Sequence, residues 1–75
     1  MYQVDLTASG STLTISSPRA FGALILASMP TGDGAFVNCD VALGDTVVAL
    51  PLSGDGLVLE VVDSSTGTVR GTITV

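Results

Sequence analysis

Polar and apolar residues alternate along most of the chain, and this alternation predicts a series of short β-strands. Residues 2–8 place an apolar side chain at every second position, and residues 11–16 repeat the pattern with Leu13 and Ile15. A period of two is typical of strands with one buried and one exposed face. The Ser-Gly step between the two segments is a turn signal, so they are predicted to pair as a hairpin.

Four further short segments are also predicted to be strands, and turns rich in Gly, Asp and Ser separate them. They span residues 35–43, 46–50, 57–62 and 68–75. The side chains predicted to face the core are Val37, Cys39, Val41, Leu43, Leu57, Leu59, Val61, Val69, Ile73 and Val75. In the last segment, Arg70, Thr72 and Thr74 are predicted to point outward.

The longest apolar run, residues 20–29, does not alternate. Large apolar side chains such as Ile25 and Leu26 occupy consecutive positions, so a strand here is apolar on both faces. Ala, Leu and Met make a helix the alternative. An internal Gly22, the following Pro30 and the missing helix caps favour the strand. Such a strand is central in its sheet or covered by a second layer.

About seven short strands predict an all-β fold, a small antiparallel β-sandwich or closed barrel. The composition never shifts along the chain, so residues 1–75 are interpreted as a single β domain. Residues 20–29, 46–50 and 57–62 are each apolar on both faces. A two-layer sandwich covers only one face of each sheet, so this excess predicts either a closed, layered arrangement or, as the preferred interpretation, a face or edge buried against another subunit.

Two turns of similar sequence divide the apolar strands. Residues 30–37 and 51–58 each begin with a proline and continue through Gly-Asp-Gly into a strand. Asp-Gly predicts type I′ geometry, with positive φ at both central residues. The similarity can be explained either by duplication of a hairpin or by convergence on one favourable turn sequence. Calcium binding is disfavoured, because the ion needs six to eight oxygens and each turn holds one Asp.

The charge of the chain excludes several classes of partner. The net charge is −5, with no Lys and with Arg19 and Arg70 as its cations. Nucleic acids and anionic membrane surfaces bind clusters of basic side chains, so neither is an expected partner. The first residues lack the basic and apolar regions of a signal peptide. We expect cytoplasmic synthesis, no transmembrane segment and final residence in a virion or other extracellular particle.

The residues needed for catalysis or for cofactor binding are missing from the sequence. With no His and one Cys, neither a structural zinc site nor an internal disulfide is expected. A serine nucleophile at residues 64–66 would have no His or Lys base, so this stretch is interpreted as an Asx or Ser/Thr turn. Asp40 and Asp45 are disfavoured as an acid–base pair because the chain offers little room for a substrate cleft.

The single cysteine and the two arginines are interpreted as structural residues. Cys39 lies on the apolar side of its strand and is predicted to be a small buried hydrophobe. Arg19 and Arg70 are predicted to be surface ion-pair partners rather than anion ligands. The sequence therefore predicts no enzyme, no catalytic, cofactor or metal site, no cofactor and no small-molecule substrate.

The function expected from these features is that of a structural or assembly subunit, a homo-oligomer or part of a larger protein assembly. Only 12% of residues are charged and the mean hydropathy is positive, which is low charge for a small monomer. This composition and size resemble those of small bacteriophage virion proteins, such as head-decoration or tail components, although no motif identifies a family. The acidic charge suits an outer position better than one against packaged DNA.

The alternative is an Ig-like or adhesin-like module that presents loops to a glycan or protein ligand. Its candidate loops are residues 30–34, 53–56 and 63–67, with Phe36 as the nearby aromatic residue. The tail, residues 63–75, resembles the last strands of small extracellular β-sandwich repeats. Exposed aromatic residues in those loops would favour ligand binding over assembly.

Overall fold

The computed structural model describes residues 2–75, and the fold is all-β, as predicted. Seven strands run antiparallel and no helix occurs among these residues. The strands are β1 (Asp5–Ser9), β2 (Thr12–Ser17), β3 (Phe21–Ser28), β4 (Gly34–Val41), β5 (Gly44–Ala49), β6 (Val58–Asp63) and β7 (Val69–Thr74). No helix of the described chain is long and apolar enough to cross a membrane.

The strands form two sheets that pack as a small β-sandwich. The three-stranded sheet has the order β1-β2-β5 and the four-stranded sheet has the order β4-β3-β6-β7. Hairpins join β1 to β2, β3 to β4 and β6 to β7, while the other three connections cross between the sheets. The predicted first hairpin is confirmed, with Ser9 opposite Thr12 and Gly10 at a φ of 60° in the two-residue turn.

The core lies between the sheets and is built from alternate residues of each strand. Its fully buried large side chains are Leu13, Ile15, Ile25, Val41, Leu57, Leu59 and Val61. The non-alternating run is a strand, as predicted over the helix alternative, and it pairs with β4 on one side and β6 on the other. A central position gives β3 two ladders of backbone hydrogen bonds, which a helix of the same length would not form.

The last strand departs from the predicted alternation. The pairing of β6 with β7 shifts between Val61, opposite Gly71, and Val62, opposite Val69, which leaves Arg70 as an extra residue. Such a β-bulge reverses the faces of the residues before it. Val69 is therefore 41% exposed and Arg70 is buried, so the prediction for these two residues was wrong.

Two residues that were predicted to face the core lie outside it, at strand ends. Leu43 is 70% exposed, because β4 ends at Val41 and Leu43 falls in the short turn to β5. Val75 is 47% exposed, one residue beyond the end of β7. The alternating sequence continues past the end of each strand into a turn or terminus, where no opposing sheet covers the side chain.

The two Gly-Asp-Gly turns do not adopt type I′ geometry. No described residue other than glycine has a positive φ, so neither Asp33 nor Asp55 takes the required conformation. Gly32 and Gly56 carry positive φ instead, 97° and 83°. The first turn closes the β3–β4 hairpin, whereas the second lies in the crossing from β5 to β6, so the repeat is one of turn sequence and not of a hairpin.

The two long sides of the sandwich differ. At one side β1 and β7 approach each other, and the Val4 N–H donates to the Arg70 carbonyl oxygen at 2.9 Å. Gly71 allows this approach, since a Cβ there would lie 2.9 Å from the Val4 side chain. At the other side β4 and β5 are joined by a short turn, in which the Ala42 N–H donates to Thr46 Oγ1 at 2.9 Å.

Candidate functional site

The outer surface of the four-stranded sheet carries a continuous group of apolar side chains, here called the apolar face. Three of its members are strongly exposed: Phe36 at 65%, Val69 at 41% and Leu26 at 38%. Three more are half-buried on the same surface. The apolar face consists of Leu24, Leu26, Phe36, Val58, Val62 and Val69.

The strand register explains why these residues are adjacent. Leu26 is opposite Phe36 on β4 and opposite Glu60 on β6, so Glu60 is the charged residue within the group. Leu24 is opposite Val62, which is itself opposite Val69 across the bulge. Side chains directly opposite each other in antiparallel strands lie about 5 Å apart, so the register joins residues from all four strands into one surface.

The outer surface of the three-stranded sheet has the opposite character. Its β1 and β2 residues are Asp5, Thr7, Ser9, Thr12, Thr14 and Ser16. From β5 it receives Asp45, Val47 and Ala49. Val47 is 67% exposed and is the one large apolar side chain on this surface. Hydroxyl and carboxylate groups remain hydrated there, so this surface needs no cover.

The free edge of β4, here called the β4 edge, adjoins the apolar face. β4 is the outermost strand of the four-stranded sheet and pairs with β3 alone. Its eight residues pair with β3 without a register shift. No charged residue or proline occurs between Ala35 and Cys39. An edge of this kind presents unpaired backbone N–H and C=O groups to a further strand.

A buried ion pair occupies the end of the sandwich near the start of the chain. Arg70 Nη2 donates to Asp63 Oδ2 at 3.1 Å, and Arg70 Nη1 donates to the Tyr2 carbonyl oxygen at 3.4 Å. The guanidinium carbons of Arg70 and Arg19 lie 4.1 and 4.8 Å from the centroid of the Tyr2 ring. Phe21 contacts the same ring edge-on, at 5.7 Å between centroids.

Asp63 is held in its charged form by several hydrogen bonds. The Ser65 hydroxyl and backbone N–H donate to Asp63 Oδ1 at 2.7 and 3.0 Å, and these bonds, followed by Arg70, lower the pKa of the Asp63 carboxyl. The Gly67 N–H also donates to the Asp63 carbonyl oxygen. The stretch is therefore an Asx turn, as predicted. Arg70 was predicted to be a surface ion-pair partner: it does form an ion pair, with Asp63, but the bulge turns it inward, so the predicted surface position was wrong.

The other residues considered for chemistry are not brought together. Asp40 lies in the four-stranded sheet and Asp45 in the three-stranded sheet. Cys39 is half-buried on the inward side of β4, and burial, with a smaller effect of Asp40, raises the pKa of its thiol. Among residues 2–75, no group of three or more His, Cys, Asp or Glu side chains could hold a metal ion.

The loops of the binding-module alternative lie at opposite ends of the sandwich. Loops 30–34 and 53–56 share one end, where a Cβ on Gly56 would lie 2.6 Å from the Pro30 ring. Loop 63–67 is at the other end, where Ser64 Oγ donates to the Gly22 carbonyl oxygen. Phe36 belongs to the apolar face and not to any of the three loops.

Two surface depressions of the described chain are lined by polar and small residues. One, of about 260 Å³, is lined by Gly22, Ala23, Asn38, Cys39, Asp40 and Ser64. The other, of about 480 Å³, lies between the β1–β2 turn and residues 53–55.

Comparison with known proteins gives no relative: no protein-family model, no curated protein sequence and no solved structure matches the chain. The apolar face is therefore the candidate site on geometric grounds. Sequence reasoning did not identify Phe36 and Val69 as parts of it. The outward position of Phe36 could have been predicted, because it alternates with inward Val37. The outward position of Val69 could not, because it depends on the bulge at Arg70.

Proposed function

We propose that the chain is a non-enzymatic structural subunit that assembles with further copies of itself through the apolar face. The single observation that supports this proposal is the exposure of Phe36, Leu26 and Val69 on one sheet surface, where the strand register connects them through Leu24 and Val62. Contiguous apolar patches on soluble proteins mark interaction surfaces. Burial gains about 25 cal/mol for each Å² of apolar surface removed from water.

The size of the apolar face bounds the strength of the contact. Four strands about 4.8 Å apart and six residues long cover on the order of 400 Å² by projection. Two copies joined through this face alone would bury on the order of 800 Å², the size of a weak contact. Stable assembly therefore requires a second contact between copies, or many copies held together.

The charges of the chain favour a second copy as the occupant over a basic partner. Glu60 is the one charged group within the apolar face, so a cationic surface would find little to pair with there. Of the other acidic groups, Asp40 lies on the same outer surface at the end of β4 and Asp63 is buried, whereas Asp5, Asp33, Asp45 and Asp55 lie in turns or on the outer surface of the three-stranded sheet. These last four would remain hydrated when two apolar faces meet.

The particle that we propose is a virion, with the chain as a head-decoration or tail component of a bacteriophage. The support is compositional: low charge, acidic balance and a small β-sandwich of Ser, Thr, Gly, Ala and Val. The net charge of −5 suits a position that faces solvent and not packaged DNA. The loop-binding alternative is less well supported, because its loops are divided between two ends and none carries an exposed aromatic residue.

Light scattering across a micromolar concentration series tests the proposal. We expect a native mass above the 7.5 kDa of the chain. The double variant Leu26→Thr/Val69→Thr should have a lower mass than the wild type at equal concentration. The control Val47→Thr, at a side chain 67% exposed on the other sheet, should leave the mass unchanged. A monomeric wild type at every concentration contradicts the proposal.

A further inference from the structure

We infer that β4 pairs antiparallel with β4 of a second copy, about a twofold axis at Val37, and joins two four-stranded sheets into one sheet of eight strands. This inference rests on the proposed function and names the second contact that it requires. Strand addition at a free edge is an established mode of protein association. A twofold contact is also self-complementary, so one edge serves both copies.

The other three edge strands each carry a feature that hinders pairing. β1 has five residues, and Val4 beside it already bonds to Arg70 of β7. β7 contains the bulge at Arg70. β5 begins with Gly44-Asp45 and is followed by Pro51. Short length, bulges, charge and proline are the features that protect natural sheet edges. The β4 edge, with eight regular residues, has none of them between Ala35 and Cys39.

The backbone groups available on β4 follow from its pairing with β3. The Met29 N–H donates to the Asp33 carbonyl oxygen at 2.8 Å, so this pair is hydrogen-bonded, and such pairs alternate along an antiparallel ladder. Odd-numbered residues of β4 therefore bond to β3. The N–H and C=O groups of Gly34, Phe36, Asn38 and Asp40 point toward the free edge.

One register uses all of these groups. With Val37 on the twofold axis, Phe36 is opposite Asn38 of the partner subunit, and Gly34 is opposite Asp40 of the partner subunit. Each of these pairs exchanges two backbone hydrogen bonds. Each carboxylate faces a glycine, so no acidic side chain lies directly opposite another. Registers centred one residue away would mix inner and outer faces or leave some of the free groups unpaired.

The side chains support the same register. On the outer surface the two Phe36 rings are diagonal neighbours, at about 7–8 Å between backbones, a distance that aromatic side chains bridge. On the inner surface Ala35, Val37 and Cys39 are each half-buried in the isolated chain and gain neighbours from the second copy. The two apolar faces become one surface of about twice the area, which reaches the size of a specific interface.

A disulfide across the axis tests the register. Val37→Cys in a Cys39→Ser background places two thiols in a non-hydrogen-bonded pair, about 4.5 Å apart at Cα, which is within disulfide range. Mild oxidation should convert most of the chain into a covalent dimer. The control Ala35→Cys/Cys39→Ser, whose two thiols would be more than about 10 Å apart, should stay uncrosslinked. No dimer, or equal crosslinking of both variants, overturns the inference.

A backbone change at the same edge tests the pairing without a new thiol. Asn38→Pro removes an N–H that does not bond to β3, and Asn38→Thr is the matched control that keeps it. In the Leu26→Thr/Val69→Thr background the chain should remain a dimer of twice 7.5 kDa, and Asn38→Pro should then make it monomeric while Asn38→Thr does not.

The outcomes separate this inference from the proposed function. If Leu26→Thr/Val69→Thr alone is monomeric, or if the added Asn38→Pro leaves a dimer, edge pairing is contradicted while assembly through the apolar face stands. A wild type that is monomeric throughout contradicts both. Circular dichroism of each variant confirms folding, and the crosslinking result decides the inference should Asn38→Pro fail to fold.

Discussion

The two sheets have similar inner surfaces and opposite outer surfaces. On β2, Leu13 and Ile15 are inside while Thr12, Thr14 and Ser16 are outside. On β3, the inner side includes the small Ala23 and Ala27, and the outer side carries Leu24 and Leu26. A strand selected for the stability of the isolated chain would place its larger residues inside. The outer side of β3 therefore carries the larger side chains that the proposed assembly through the apolar face would bury.

The largest expected effect is a difference in the free energy of unfolding between substitutions on the two faces of β3. Ile25→Ala, at a side chain 1% exposed, should lower the free energy of unfolding by about 2–5 kcal/mol, because the cavity cannot fully collapse. Leu26→Ala on the outer side should cost about 1 kcal/mol or less in the monomer. Urea denaturation at the lowest workable concentration measures both, since dilution removes the contribution of assembly. Equal losses would contradict the assignment of faces.

The next effect concerns the side of the sandwich where β1 and β7 approach each other. Gly71→Ala should destabilise the fold by about 1–3 kcal/mol through overpacking, because its Cβ would lie 2.9 Å from the Val4 side chain. The neighbouring Thr72→Ala, on the exposed outer surface, should change stability by about 0.5 kcal/mol or less. Thermal unfolding of both variants provides the comparison. A neutral Gly71→Ala would show that β1 and β7 are not held together as described.

The smallest effect is a pH dependence of stability that arises from Asp63, which forms an ion pair with Arg70 at the bulge. The folded state lowers the pKa of Asp63 below the value of about 3.9 in an unfolded chain. The resulting stability is complete above that value and is lost as the pH falls through the folded pKa, since the unfolded state then binds the proton more readily.

Urea midpoints measured from pH 7 to pH 2 test this dependence. Asp63→Asn should be less stable than the wild type at neutral pH and should lose less stability on acidification. Asp5→Asn is the matched control, because it makes the same change of side chain at an exposed position outside the ion pair. A wild-type profile in Asp63→Asn would contradict the role given to the hydrogen bonds from Ser65 and Arg70.

The alternation of residues was sufficient to predict the strands and most of the core. Ile15, Leu59 and Val61 are buried as predicted, because a period of two is a local property of the chain. The bulge at Arg70 was not predictable, since one extra residue in β7 is defined only by its pairing with β6. The turn types were wrong for a related reason: loop length and the path between sheets decide which glycine takes positive φ.

The candidate site was predicted only as an excess of apolar surface. Sequence identified three strands that are apolar on both faces, but not which of them are neighbours. The structure places β3 and β6 side by side, so their outer residues combine, whereas β5 lies in the other sheet and contributes Val47 alone. Strand pairing is non-local, so an apolar surface built from several strands cannot be assembled from periodicity.

Hydroxyl-radical footprinting at low and high protein concentration tests most directly whether the apolar face is the assembly surface. Phe36 and Leu43 are similarly exposed in the isolated chain, at 65% and 70%, but only Phe36 belongs to the apolar face. We expect oxidation of Phe36 and Leu26 to fall as the concentration rises, while oxidation of Leu43 and Val47 stays constant. Protection of Leu43 and Val47 with Phe36 still reactive would contradict it.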